Sequence, residues 1–430
     1  MAHPVKVGQI GLGTIGTGVA DLFLYKMARI AERSAAQVEL AKIVTLPPLP
    51  DDLVVPDGMI SEDINDILDD PKIKIVIELI GGLEPARTFV LGAISKGKSV
   101  VTANKALLAA HGEEIFEAAD KMGVGVSFEA SVGGSIPIIR ALQKSLIADE
   151  IQSLFGILNG TTNYILTRMT EEQLPYDQVL QEAQSAGFAE ANPTADVEGH
   201  DARDKLVILL RLAFGSVFSS DQLLCEGISQ IAPIDVQYAQ ELGYTIKLLA
   251  IAKRRSDGIE ARVHPALVPS QSLIANVRLE YNAVELVGDG VDTQLFYGKG
   301  AGRKPTASVI VADVMALAER AISGTLPSIS QWLGRDGSLP LVSKDELLLK
   351  CYLRLEVVDQ VGVLEEIARV LASEQISIET VQQKSKGGPT VPLVILTHEA
   401  GEAALSRAIG QLNSLDTVRS PVQMIRLENI

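Results

Sequence analysis

The first chemistry legible in this sequence is phosphate binding. Gly11-Leu12-Gly13-Thr14-Ile15-Gly16 fits G-x-G-x-x-G directly after a short apolar run. Gly11 permits the tight turn, Gly13 lets the backbone approach a pyrophosphate, and Gly16 lets a helix pack close to a strand. The helix start then offers free N–H groups and a positive dipole. Residues 190–205 hold a second constellation: Glu190, Asn192, Asp196, Glu198, His200, Asp201, Asp204 and Lys205. Asp201 and Lys205 are spaced i, i+4 and share one helix face. Ordinarily such a pair is a solvated ion pair of little energetic value. Here the apolar run Leu206–Leu210 follows at once and a Gly/Pro/Asn-rich loop precedes it, which raises the odds of a cleft position. Lys105 stands just after the extended run Val100–Ala103, at the edge where parallel sheets bind ligands. Helix starts disfavour lysine, so the placement needs a reason. Asn159-Gly160-Thr161-Thr162-Asn163 reads as an N-cap or, equally, as a group of polar side chains that bind a zwitterion.

The elements that must position these residues alternate at first. Val5–Gly11, Val38–Val44, Ile73–Ile80, Ser99–Thr102 and Val124–Phe128 read as strands, with helices over 14–33, 85–96 and 105–122 between them. This is a Rossmann-type, doubly wound parallel α/β sheet over residues 1–132. After its second strand one expects an acid for a ribose or an arginine for a 2′-phosphate. The sequence has Val44-Thr45-Leu46-Pro47-Pro48 instead, so Thr45 is the hydroxyl-binding candidate and NAD or NADP remain equal alternatives. Residues 133–303 read as an α+β block with its own sheet: a helix to Ile147, a strand at 151–158, helices near 161–170, 177–186 and 201–214, and strands near 260–268 and 274–287. The helix at 304–322 has no strand after it and is expected to pack back on the first domain. Residues 323–349, rich in Gly, Pro and Ser, read as a linker. From 350 to 430 the order β-α-β-β-α-β is the ferredoxin-like pattern.

Composition narrows the function classes. The 430 residues are 47% hydrophobic and 21% charged, which excludes wholesale disorder. The net charge of −16 argues against nucleic acid or an anionic membrane as partner. That charge sits in two stretches, 51–70 with eight acids and no base, and 171–204 with nine acids and one base. Cys225 and Cys351 lie far apart in no metal-like spacing, which fits a reducing, cytoplasmic compartment. His3, His111, His200, His264 and His398 show no metal spacing and read as structural, His200 being the exception worth watching. No apolar run is long enough to span a membrane.

With these stretches together, the sequence resembles the long-form homoserine dehydrogenases that carry a C-terminal ACT domain. The resemblance rests on GLGTIGTGV (11–19), VIELIGG (76–82), VTANKALLA (101–109), FEASVGGSIPII (128–139), GILNGTTNYIL (156–166), GFAEANPTADVEGHDARDKL (187–206) and YGKGAGRKPTASVIVADV (297–314), and on residues 353–378 for the ACT unit. It implies reversible oxidation of homoserine to aspartate 4-semialdehyde with NADP or NAD, on the route to threonine, methionine and isoleucine. It also implies feedback by an amino-acid effector such as threonine, and a homodimer or homotetramer.

The resemblance assigns roles. Gly11, Gly13, Thr14, Ile15, Gly16, Thr45, Thr102, Asn104, Lys105 and Gly302 match the cofactor site. Glu190 and Asp201 match the carboxylates that hold the substrate, with Asn159, Gly160 and Thr161 beside them. Lys205 matches the lysine at the reacting oxygen, and Lys105 is its catalytic partner; either could take the proton. The Glu129 carboxylate and the carbonyls of Val132, Gly134 and Ile136 match a monovalent cation site, usually sodium. The chemistry is coherent, since carboxylates suit an ammonium and a lysine made less basic by burial and a second cation can accept a proton.

The chain departs from the family pattern at Asn192, Phe188, Thr45, Lys299 and Val361. An aspartate semialdehyde dehydrogenase would need an activated thiol, which neither cysteine resembles. A catalytically weak amino-acid sensor is the alternative, against which Glu190, Asp201, Lys105 and Lys205 all speak. Removing residues 350–430 is expected to leave activity but to remove any inhibition.

Overall fold

The computed structural model describes residues 4–325, 339–384 and 388–430. His3 and residues 326–338 of the expected linker lie outside them. In chain order the elements are β1 (Val5–Ile10), α1 (Thr14–Tyr25), α2 (Met27–Ala31), β2 (Val38–Val44), β3 (Ile60–Ser61), α3 (Asn65–Leu68), β4 (Ile73–Glu78), α4 (Ala86–Ser95), β5 (Ser99–Thr102), α5 (Lys105–Met122) and β6 (Val126–Ser127). Next come α6 (Ile138–Arg140), β7 (Ile151–Ile157), α7 (Gly160–Glu172), α8 (Tyr176–Ser185), α9 (Thr194–Val197), α10 (His200–Phe214), β8 (Leu224–Cys225), α11 (Pro233–Glu241), β9 (Tyr244–Arg254) and β10 (Ile259–Pro269). The chain finishes with β11 (Tyr281–Gly288), β12 (Asp292–Lys299), α12 (Arg303–Ser323), β13 (Leu348–Val358), α13 (Val363–Ser373), β14 (Ile378–Gln383), β15 (Thr390–Thr397), β16 (Ala400–Gly401), α14 (Glu402–Asn413) and β17 (Gln423–Leu427).

Two units emerge. The first comprises Met1–Ile151, Asp204–Gln222 and Asn282–Ser338. Its six strands are ordered β3-β2-β1-β4-β5-β6, and every pair is parallel. That is the doubly wound order expected of a dinucleotide fold. Val7, Ile75, Ile77 and Val101 of the sheet are sealed beneath Val19 and Phe23 of α1 and Ile310, Val314 and Ala318 of α12. Gly18 makes the helix contact possible, since a Cβ there would lie 2.9 Å from Arg303 and 3.1 Å from Ala307. Two expectations need correction. The helix read over 14–33 breaks at Lys26 into α1 and α2. The helix read as running to Ile147 is three residues of α6 followed by a π turn over Ala141–Ser145.

The second unit comprises Gln152–Arg203, Leu223–Tyr281 and Leu339–Ile430. Seven of its strands run in the order β7-β9-β10-β17-β13-β15-β14. The middle block and the C-terminal unit were expected to have separate sheets, and this is a correction: β17 pairs antiparallel with β13 and parallel with β10. The strand read over 274–287 begins only at Tyr281, after a turn at Ile274–Asn276. Leu279 there is held at φ 55°, and the Asn163 amide donates to the carbonyls of Val277, Leu279 and Tyr281. Those carbonyls are therefore spoken for before any strand can use them.

Candidate active site

In the first unit the glycine turn has the shape its sequence promised. Gly11 sits at φ +96°, a conformation that favours glycine. A Cβ on Gly16 would lie 2.3 Å from the Gly11 carbonyl, whereas nothing lies within 4 Å of where Gly13 would carry one. The cradle is therefore closed underneath and open above. Gly13 is the N-cap of α1, no side chain caps that helix, and Thr14, Ile15 and Gly16 form its first turn without an acid. Gln9, fully buried, donates from one Nε2 to the Gly11 and Gly16 carbonyls, both at 2.9 Å. Sequence reasoning missed Gln9 because an interior glutamine has no motif of its own. Thr45 follows β2 directly and is half-buried, with its hydroxyl 3.4 Å from the Leu46 carbonyl. Gly302, at φ +123°, is the N-cap of α12, whose first turn also lacks an acid. These residues fit a nicotinamide dinucleotide.

A second missed residue is Glu78, completely buried at the end of β4. One oxygen accepts from the Ile80 and Gly81 N–H groups, at 2.9 and 3.1 Å, and the other from the Thr102 hydroxyl at 2.6 Å. Thr102 in turn accepts from the Asn104 N–H. The Asn104 side chain donates to the Gly82 carbonyl at 2.7 Å and caps α5 by accepting from the Leu107 N–H. Two neighbouring strand ends are thereby fastened to one carboxylate, and Lys105, the half-buried first residue of α5, is set by that fastening. Lys205 is also half-buried, one turn beyond Asp201 along α10.

In the second unit Asn159 caps α7, and its side chain gathers two acids. Nδ2 donates to Asp196 at 2.7 Å and to Asp201 at 2.9 Å. Gly199, at φ +81°, makes the reversal between α9 and α10 that returns Asp201 to the same amide as Asp196. Asp196 carried no assigned role in the sequence, because its closeness to Asp201 depends on that reversal. Gly160 opens α7, and the Thr161 hydroxyl donates to the Phe188 carbonyl at 2.8 Å. Phe188 stacks on Tyr164 with centroids 4.7 Å apart. Glu190 is exposed in the loop before α9. Asn192 forms a local turn, accepting from the Thr194 hydroxyl at 2.7 Å.

The loop at 129–136 belongs to the first unit. Both Glu129 oxygens are engaged: one accepts from the Ile139 N–H at 2.7 Å, the other from the Arg140 N–H at 2.9 Å. The Glu129 N–H donates to Asp313 at 3.0 Å, and the Arg140 guanidinium bonds to Asp313. Burial, then the neighbouring Asp313, raises the Glu129 carboxyl to about 7. Burial likewise raises Asp313, against the pull of Arg140. Val132 is buried, Gly134 adopts φ +56° against the Gly300 carbonyl, and the Ile136 carbonyl accepts from the Ile138 N–H at 2.8 Å. Among the described residues no cluster of three His, Cys, Asp or Glu could hold a metal. What the loop offers a cation is the charge of two buried acids that share one arginine.

Comparison with known proteins follows this geometry. A family model described as homoserine dehydrogenase matches residues 137–315, its NAD-binding domain matches 11–129, and an ACT domain matches 352–417. A homoserine dehydrogenase of Pseudomonas aeruginosa is 43% identical, with 99% of each chain covered. One of Bacillus subtilis is 37% identical over 99% of this chain and 98% of its own. The crystal structure of a homoserine dehydrogenase from Thiobacillus denitrificans superposes with a TM-score of 0.92 at 43% identity, covering 99% of both chains.

Proposed function

The chain belongs to the homoserine dehydrogenase family, and from that premise we propose how its own side chains divide the work. The enzyme interconverts homoserine and aspartate 4-semialdehyde with NAD(P). A bound nicotinamide dinucleotide supplies the hydride acceptor for the C4 hydrogen. Asp201, Asp196 and Glu190 receive the substrate ammonium, because charge-assisted bonds to carboxylates fix a cation in place. The first turn of α7, at Gly160 and Thr161, faces the substrate carboxylate with its N–H groups. Lys205 takes the proton from the C4 hydroxyl, and Lys105 is the second lysine of the catalytic pair.

The observation that carries this reading is the Asn159 fork, which draws two aspartates to one nitrogen. Two carboxylates drawn to one point favour a cation beside them. In an initial-rate assay, Lys205→Ala should lower kcat by on the order of 10³-fold while homoserine still binds, since general acid–base catalysis is worth roughly 10²–10⁴. A variant turning over within tenfold of wild type would remove Lys205 from the role.

With Thr45 where an acid would repel a 2′-phosphate, we infer that both NAD and NADP are used; a KM differing more than 100-fold would reject this. A monovalent cation, sodium being the first candidate, is held by the carbonyls of Val132, Gly134 and Ile136, with Glu129 supplying charge rather than a vacant oxygen. The ACT unit takes an amino-acid effector such as threonine, the molecule is a homodimer or homotetramer, and Cys225 and Cys351, which form no disulfide, suit the cytoplasm.

A further inference from the structure

Asn159 was a candidate ligand of the substrate, yet its amide is fully committed inside the protein. Oδ1 accepts from the Thr162 N–H at 2.8 Å and from the Thr162 hydroxyl at 2.9 Å. Nδ2 donates to Asp196 at 2.7 Å and to Asp201 at 2.9 Å. An amide has two donors and two acceptor lone pairs, so all four valences are used. The orientation is also fixed. Turned over, the amide would set its oxygen against two carboxylates and its NH2 against the Thr162 N–H. Asn159 is 4% exposed, which leaves little room for a ligand to displace any of these bonds.

We propose that Asn159 is a positioning residue for the dehydrogenase reaction: it acts through Asp196 and Asp201, holding both carboxylates in the spacing that receives the substrate ammonium. This rests on the reading of those aspartates as ammonium partners. The physical case has three parts. Two carboxylates converging on one point repel each other, and a fixed donor shared between them offsets part of that repulsion. The donor is itself immobile, because its oxygen is bound to the first turn of α7, and two bonds to Thr162 cost no further ordering. The aspartates come from elements that local sequence does not hold together, Asp196 from α9 and Asp201 from α10. A receptor already assembled before substrate arrives spends less of its binding energy on ordering.

Serine is a competent N-cap but cannot donate to two carboxylates, so Asn159→Ser separates positioning from helix capping. Homoserine KM should rise on the order of 30-fold, with the KM for NAD(P) unchanged within twofold and the thermal midpoint within about 3 °C. Losing two N–H donors makes carboxylates easier to protonate, so the acidic limb of kcat/KM for homoserine should move to higher pH. Asn159→Asp keeps the cap but adds a third carboxylate. Its homoserine KM should improve as pH falls, over a range in which the wild-type KM worsens. Asp196→Asn and Asp201→Asn complete the set. If both raise homoserine KM and Asn159→Ser does not, the positioning role is wrong and the ammonium reading stands. If neither aspartate variant changes homoserine KM, the reading and the proposal fall together. An Asn159→Ser variant that alters both substrates' KM equally, or leaves the pH profile in place, also overturns the proposal.

Discussion

In the first unit Glu129 and Asp313 share a single arginine, Arg140, whose side chain is 42% exposed. In the second, Arg262 and Arg426 are sealed from solvent and each is met by two carboxylates. Arg262 donates to Glu260 at 2.7 Å and Glu428 at 2.6 Å. Arg426 donates to Glu226 and, from its Nε, to Glu402 at 3.0 Å. Lys253 adds a bond to Glu428 at 2.6 Å. The acids respond in opposite directions. Burial and Asp313 carry Glu129 up to about 7, while Glu428, which burial would raise as well, is brought down to about 2 by Arg262 and Lys253. Burial alone therefore does not decide the charge state; the supply of fully engaged cations does. The poorly supplied cluster adjoins the loop proposed to hold a cation, and the well supplied one secures β17 and the residue that follows it.

The contrast can be broken most severely at Arg426. Arg426→Met keeps volume but leaves Glu402 buried without its cation, and should cost roughly 3–5 kcal/mol in a urea titration. A loss below about 1 kcal/mol would mean the network is replaceable. Glu129 tests the other side through pH. Its folded value near 7 lies above the ordinary 4.5, so its contribution is complete below pH 4.5 and is lost as pH rises through about 7. Wild type should lose on the order of 3 kcal/mol more than Glu129→Gln between pH 4.5 and 8.5. Sodium, compared with choline at equal ionic strength, should reduce that difference; equal slopes in wild type and variant would dismiss it. Glu428 has the reverse sign, since its contribution is full above pH 4.5 and lost as pH falls through about 2. The smallest effect belongs to Glu365–Arg369, an exposed i, i+4 pair on α13. Alanine at either position should change stability by less than about 0.5 kcal/mol, and a larger change would show that exposure is the wrong criterion.

Much of this was readable from one sequence because its signals are local. The glycine turn, the strand–helix alternation and the Asn cap of α7 each depend on a few adjacent residues. The roles of Gln9, Glu78 and Asp196 were not readable, since each acquires its partners only when distant segments meet. β9 and β12 escaped too: β9 is apolar over a continuous stretch with no alternation to mark it, and β12 is largely exposed. The fused sheet was hidden for a different reason. The β-α-β-β-α-β order of residues 350–430 says how those strands follow one another, not that the last of them also has an edge to offer β10.

That shared strand carries a consequence for the two strands it joins. β17 lies inside the sheet with β10 on one side and β13 on the other. Without residues 423–428 the edges of β10 and β13 that β17 covers would be open, and Arg262 would lack Glu428. Open edges of apolar strands invite pairing with other chains. Deleting residues 350–430, expected to leave activity and to remove any inhibition, would therefore also uncover the edge of β10. For this chain one short strand acts as a seam, and its loss should turn two covered strand edges into sites of self-association.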